Sequence, residues 1–116
     1  QKENENPVML DFKTEEGIAH LDVRSIYYFE YSERSVMMYT QSGTFRLHQK
    51  ISALATSMRP YNFSQPHKSF CVNLFHVQSI KGYDIRLTCD AVIPLSQKKS
   101  SAFREELNVY LGHLIG

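Results

Sequence analysis

The sequence lacks the features that mark secreted and membrane proteins. No run of residues approaches the ~18 consecutive apolar positions that a membrane-spanning helix needs, and no signal-peptide pattern opens the chain. The two cysteines, Cys71 and Cys89, do not form a C-x-x-C motif. We therefore expect a cytoplasmic protein with free thiols in a reducing compartment. A regulatory disulfide between the two stays open, because it depends on a geometry that the sequence does not give.

The sequence also lacks the short motifs that usually carry catalysis or bind metals. It contains no G-x-S-x-G, no glycine-rich phosphate loop and no H-E-x-x-H. The histidines show no metal-ligand spacing, and neither cysteine joins them in a recognisable pattern; they stand at positions 20, 48, 67, 76 and 113. We therefore predict that the chain is not an enzyme and needs neither a metal nor another cofactor.

Length and composition indicate one folded domain. The 116 residues include 7 Tyr and 7 Phe, and 42% of the chain is hydrophobic, which excludes a disordered polymer. A chain of this length forms one core readily and two only marginally. Because its start is polar, we interpret residues 1–7 as a linker or a cut end and residues 8–116 as the domain.

The charges are unevenly distributed, although the net charge is only +1. Residues 1–33 carry eight acidic and three basic side chains, a net charge of −5, whereas residues 34–116 carry ten basic and four acidic ones, a net charge of +6. Such asymmetry is typical of a domain with one basic face that binds nucleic acid. A solvated surface whose charges happen to segregate is the alternative.

Alternation and β-branched or aromatic residues predict strands over most of the chain. The expected strands are residues 8–13, 17–23, 25–31, 36–40, 44–47, 76–80, 84–88 and 91–95. Apolar residues spaced by four, three and four from Leu47 to Met58 predict one internal helix, which ends before Pro60. A second stripe predicts a C-terminal helix capped by Ser96 or Ser100. The predicted fold class is therefore mostly β, with one internal and one C-terminal helix.

The most informative segment covers residues 63–74. It places a proline, an imidazole, an ammonium and a hydroxyl at the consecutive positions 66–69, followed by a largely apolar run. A short polar and basic cluster flanked by aromatic residues is typical of a loop that binds phosphates. Lys68 supplies a positive charge, and His67 and Ser69 supply hydrogen-bond donors. A solvated lysine and a turn-forming serine are the plainer interpretations.

Four blocks of the sequence occur in the same order as the motifs of a known family. These blocks are an aromatic strand, a hairpin, the informative segment and an Ile-Pro-Leu-Ser run, at residues 27–30, 36–45, 63–74 and 93–96. Together they resemble the LytTR DNA-binding domains. The resemblance implies an elongated, mostly antiparallel β fold of small stacked sheets, in which loops along one side enter successive major grooves of DNA.

The resemblance also implies which residues meet DNA. Bases would be read from the turn at 32–36, from the informative segment and from the residues after Pro94. The expected base contacts are Arg34, Ser35, Lys68 and Gln97, with Val36 against a thymine methyl, and the expected backbone contacts are His67, Ser69, Lys98 and Lys99. His67 has a second interpretation, as a structural histidine that bonds a backbone carbonyl.

Gln97 departs from the family pattern, which usually has arginine at this position. Glutamine pairs more naturally with adenine than with guanine, so we expect a different base preference there. Lys98 and Lys99 keep positive charge near the start of a helix, where it opposes the helix dipole. A placement that costs some stability favours a phosphate partner, although tandem lysines are usually only surface residues.

The implied function is sequence-specific binding of double-stranded DNA by the output domain of a bacterial two-component transcriptional regulator. In this family a phosphorylatable receiver usually precedes the domain, and dimerisation places two domains on repeated half-sites; none of the residues here resembles a receiver. The alternative is a β-rich protein-interaction or sensory module on the same scaffold, which Gln97 and the near-neutral net charge favour. The two hypotheses differ in their salt dependence, because groove binding weakens steeply as salt rises.

Overall fold

The computed structural model describes residues 6–115, which form ten strands and two helices. The strands are β1 (Met9–Thr14), β2 (Gly17–Asp22), β3 (Ile26–Ser32), β4 (Ser35–Thr40), β5 (Gly43–Leu47), β6 (Phe63–His67), β7 (Phe70–Asn73), β8 (Val77–Lys81), β9 (Asp84–Leu87) and β10 (Val92–Pro94). The helices are α1 (Ile51–Met58) and α2 (Gln97–Ile115). Short 3₁₀ turns cover Val23–Ser25, Arg59–Tyr61 and Leu74–His76.

The strands form two antiparallel sheets. The larger has seven strands in the order β2-β1-β5-β4-β3-β7-β6, and the smaller has three in the order β10-β9-β8. Both are built from hairpins between neighbouring strands, and β3 in addition pairs with β7 across a long connection. The domain is a flat body with extents of 38 × 38 × 24 Å. The predicted fold class, mostly β with one internal and one C-terminal helix, is confirmed.

One core lies between the large sheet and α1. Ile26, Phe29 and Met38 are fully buried there against Leu54 and Met58, which lie four residues apart on one face of α1. The predicted helix began too early, because Leu47 is the last residue of β5 and pairs with β4. The end was predicted correctly: α1 stops at Met58, and Pro60 lies in the 3₁₀ turn that follows.

A second core lies on the opposite face of β7, beneath the small sheet and α2. Successive side chains of a strand point to opposite faces, so Cys71 joins the first core while Val72 joins the second. Phe103 is the α2 side chain buried most completely in the second core, against residues of β9 and β10. Through this phenylalanine the start of α2 is held against the rest of the domain.

The informative segment forms a hairpin rather than a loop. Residues 63–67 are β6 and residues 70–73 are β7, with Lys68 and Ser69 as the connecting turn. Pro66 is compatible with a strand because β6 is the edge of the large sheet, where the missing N–H of proline removes no hydrogen bond to a neighbouring strand. Pro94 ends β10, which is likewise an edge strand, as the sequence predicts.

Asn73, at the end of β7, is an internal anchor. Its side chain is 1% exposed. Its Nδ2 donates to the carbonyl oxygens of Val23 and Ile26 at 3.3 and 2.9 Å, and its Oδ1 accepts from the Phe75 N–H at 3.1 Å. These bonds join the entrance of β3 to the exit of β7. The predicted linker, residues 1–7, and the predicted domain end at 116 lie partly outside the described residues.

Candidate nucleic-acid interface

The turn between β6 and β7, Lys68–Ser69, is the second of three candidate loops in chain order, and side chains of β6 hold its backbone. Gln65 Nε2 donates to the Lys68 carbonyl at 3.2 Å, and the Ser69 N–H donates to His67 Nδ1 at 3.1 Å. The Lys68 side chain is exposed. A charged side chain therefore projects from a fixed turn, which is the arrangement that the sequence predicts for a DNA contact.

The turn between β3 and β4, Glu33–Arg34, is the first candidate loop. Both residues have positive φ, 50° and 69°. Two-residue hairpin turns of this shape favour Asn-Gly, because an L side chain in the left-handed region costs ~1 kcal/mol or more. A Glu-Arg pair in this conformation is strained, and such strain tends to persist at functional sites.

Ser35 and Val36, predicted to touch bases from this turn, are both buried. Val36 has no exposed surface, so the expected contact with a thymine methyl is wrong. Ser35 is 5% exposed, and its hydroxyl accepts a hydrogen bond from Arg46 Nη1 at 2.7 Å. The Ser35 hydroxyl, which the sequence predicts to contact a base, therefore already has a partner within the protein.

Arg46 lies near the first loop and was not selected from the sequence. It lies on β5 beside β4, half-exposed, with its Nε 3.7 Å from a Glu15 carboxylate oxygen. Its only sequence signal was the alternation of residues 44–47, which places Arg46 on the face opposite Leu47. The alternation does not show that Arg46 reaches Ser35 on the next strand.

The start of α2, residues 96–99, is the third candidate loop. Ser96 caps the helix, since its Oγ accepts from the Lys99 N–H at 3.2 Å, and Ser96 is thus the correct one of the two predicted caps. Gln97 and Lys98 are exposed, Lys99 is half-buried, and no acidic residue stands in the first turn. Two cations therefore face the positive end of the helix dipole without local compensation.

Backbone hydrogen bonds connect the three candidate loops. The Tyr31 N–H donates to the Ser69 carbonyl at 2.8 Å, which links the end of β3 to the second loop. The Ser96 N–H donates to the Pro66 carbonyl at 2.9 Å, which links the third loop to the same hairpin. The bonded residues are 38 and 30 positions apart in the sequence, and through them the three loops converge around the β6–β7 turn.

Other titratable groups among residues 6–115 serve the fold or stand apart from one another. His76 is buried, and its Nε2 donates to the Arg24 carbonyl at 2.6 Å, so it serves the fold. Burial raises the pKa of the Cys71 thiol to about 12, which keeps it protonated, and Cys71 and Cys89 are both free.

Within residues 6–115 no three His, Cys, Asp or Glu side chains approach one another closely enough to hold a metal ion. Neither helix in that range is long and apolar enough to cross a membrane.

The fold and the converging loops define a member of a family of DNA-binding domains. The sequence model of that family, the LytTr DNA-binding domain, matches residues 16–108, and the chain belongs to this family. The family is one of transcription-regulator domains and not a class of enzymes.

Two kinds of relative agree with this membership. The transcriptional regulatory protein YpdB of Escherichia coli K12 is 29% identical over 101 residues, which cover 82% of this chain, and the YpdB of Shigella flexneri matches equally. The matched region is only 41% of those proteins' length. A solved structure, the LytTr DNA-binding domain of a protein described as a methyl-accepting/DNA response regulator from Bacillus cereus, superimposes with a TM-score of 0.74. It covers 85% of this chain and 95% of that one at 20% identity, and therefore supports the fold.

Proposed function

We propose that this domain binds double-stranded DNA sequence-specifically, as the output domain of a bacterial two-component transcriptional regulator in the cytoplasm. The observation that carries the proposal is the convergence of three basic or polar loops on one hairpin through the Tyr31–Ser69 and Ser96–Pro66 hydrogen bonds. Membership of the LytTR family and the similarity to the regulator YpdB support it. The chain would act by occupying a promoter, without catalysing a reaction.

The proposed division of labour follows the chemistry of the exposed side chains. Lys68, Arg34 and Gln97 would meet base edges in the major groove, where cations favour guanine and glutamine favours adenine. Ser69, Lys98 and Lys99, with His67, would meet phosphates and supply affinity that falls as salt rises. The proposed role of Ser35 is indirect, through its hydrogen bond with Arg46 beside the first loop.

Dimerisation belongs to the proposal as well. A single domain offers three short loops, which gives a small interface, whereas two domains on repeated half-sites would double the number of contacts. We propose that a receiver elsewhere in the full-length protein controls this pairing.

The function is tested by selecting bound duplexes from a random DNA pool. Fluorescence anisotropy then measures the affinity for the selected duplexes at two salt concentrations. We expect one short motif to be enriched, with affinity that falls steeply as salt rises. A covalently dimerised version of the domain should enrich a direct or inverted repeat of the same motif. Weak, equal binding to every duplex by both forms would instead favour a protein-interaction module.

Replacing the strained turn residues by their favoured counterparts should raise stability and lower DNA affinity. We expect Glu33→Asn with Arg34→Gly to increase the free energy of unfolding by ~1 kcal/mol, because Asn-Gly adopts the left-handed turn with less strain. The same double variant should bind its motif more weakly, since the Arg34 side chain is gone. Urea unfolding and anisotropy measure the two effects, and Glu33→Asn alone is the control that keeps Arg34. Unchanged affinity would remove Arg34 from the interface.

Lys98→Gln should likewise change stability and binding in opposite directions. Removing one cation from the first turn of α2 should stabilise the protein by ~0.3–1 kcal/mol, because the charge opposes the helix dipole. The slope of log K against log salt should decrease by ~1 if Lys98 contacts a phosphate, with equal weakening on all sequences. Lys81→Gln, which changes an exposed lysine at the end of β8, is the matched control. An unchanged slope would make Lys98 an ordinary surface residue.

A further inference from the structure

The hydrogen bond between His67 and Ser69 determines which imidazole nitrogen carries the proton. A backbone N–H can only donate, so the Nδ1 of His67, 3.1 Å from the Ser69 nitrogen, must present its lone pair. The proton of the neutral ring therefore lies on Nε2. The sequence left open a histidine bonded to a backbone carbonyl, and the structure corrects this, because the partner of Nδ1 is a donor.

The ring is held in this orientation by its neighbours. His67 packs edge-to-face on Phe70, with ring centroids 5.6 Å apart and an interplanar angle of 72°, and these two residues are paired across the hairpin. The ring is half-exposed, and among the described residues no acceptor lies within hydrogen-bonding distance of Nε2. One nitrogen of the ring is thus used inside the turn, and the other is a free donor.

The hydrogen bond between His67 and Ser69 also constrains Lys68, which lies between them. Its carbonyl accepts from Gln65, the N–H that follows it is held by His67, and the Ser69 carbonyl accepts from Tyr31. The backbone on both sides of Lys68 is therefore fixed, and with it the direction in which the long side chain leaves the surface. Without the His67 bond, the Ser69 N–H would lose the side-chain partner that closes the turn.

We propose that His67 is a positioning residue for Lys68: its Nδ1 closes the turn from which Lys68 reads a base, while its Nε2–H donates to a DNA phosphate. The proposal rests on the proposed DNA-binding function and deepens it. It divides one side chain into two separable roles, one that governs base preference and one that adds affinity on every sequence.

Two amide variants separate these roles. In His67→Asn the Oδ1 can accept from the Ser69 N–H, as asparagine does in turns that bond two residues ahead, but no donor reaches the phosphate. In His67→Gln the amide extends to the place of Nε2, but the short-range acceptor is lost. The two side chains are neutral and chemically alike, so each serves as the control for the other.

Competition anisotropy on the selected motif and on its single-base variants measures both roles. We expect His67→Asn to weaken binding ~10-fold or more on every variant, the loss of one hydrogen bond to a charged phosphate, while keeping the base preference that we expect Lys68→Ala to remove. We expect His67→Gln to lose that preference. Equal behaviour of the two variants, whether both keep or both lose the preference, would overturn the positioning role.

A measurement without DNA makes the outcome independent of the proposed function. The ¹⁵N chemical shifts of the His67 ring distinguish a protonated from an unprotonated nitrogen, and we expect the proton on Nε2 in the free domain. A proton on Nδ1 would overturn the inference even if DNA binding is intact. If the unmodified domain enriches no duplex, the proposed function has failed, whereas normal enrichment together with the opposite tautomer rejects only the role of His67.

Discussion

Lys68→Ala is expected to weaken specific binding by ~1–3 kcal/mol and to relax one position of the preferred motif. The reason is geometric, because Lys68 is the exposed side chain of a turn whose backbone is held by Gln65, His67 and Tyr31. Because the backbone of the turn is already ordered, binding costs only the rotamer freedom of the Lys68 side chain itself. Anisotropy on the selected duplex and on its single-base variants measures affinity and preference together.

Lys13→Ala is the matched control for this result. Lys13 is exposed on β1, which is separated from β7 by three strands of the large sheet, so its removal changes the net charge by the same amount at a distance from the β6–β7 turn. We expect a small, uniform loss of affinity and no change of preference. If the two alanine variants behave alike, Lys68 contributes only through its charge and reads no base.

Phe103→Ala is expected to lower the free energy of unfolding by ~3–5 kcal/mol, the range for removing a fully buried aromatic side chain. Phe103 is 1% exposed and packs among Ile85, Ile93 and Leu95 in the second core. A loss of this size approaches the total stability of a small domain, which is only ~5–15 kcal/mol. Urea unfolding followed by circular dichroism gives the difference directly.

Leu111→Ala on the same helix is the control for helix propensity and side-chain size. Leu111 is 43% exposed, so its truncation should change stability by no more than ~0.5 kcal/mol. A loss below ~1 kcal/mol for Phe103→Ala would show that the second core collapses around the cavity, and that α2 is not held by this side chain. Because α2 begins with Gln97, Lys98 and Lys99, we also expect the Phe103 variant to bind DNA more weakly.

Eight of the ten strands were predictable because their signal is local, whereas β6 and β7 were expected to form a loop. Alternation and β-branched residues located β3 and β4 to within one residue at each end, and the two terminal signals of α1 and α2, Pro60 and Ser96, were read correctly. The early start predicted for α1 shows the limit of such signals. Leu47 fits the helical spacing, yet its pairing with Val36 fixes it in β5.

The arrangement of the interface was less predictable because it depends on partners far apart in the chain. Ser35 looks like an exposed turn residue until Arg46, eleven positions later, is seen to donate to its hydroxyl. Likewise, the sequence suggested two roles for His67 but not the partner of its ring, because that depends on how the β6–β7 hairpin closes. The residue types in the three loops were predictable, whereas their fixed relation to one another was not.

The backbone bonds from Tyr31 and Ser96 to the β6–β7 hairpin have a consequence for the kind of DNA site that the domain can accept. In the proposed interface, these hydrogen bonds hold the three loops at fixed distances from one another, so the protein would set the distances between the base steps that they meet. Inserting or deleting a base pair within a half-site would then break all contacts on one side of the change at once. On the proposed pair of half-sites, spacing would vary between the half-sites rather than within them, and this is where related promoters would differ in length.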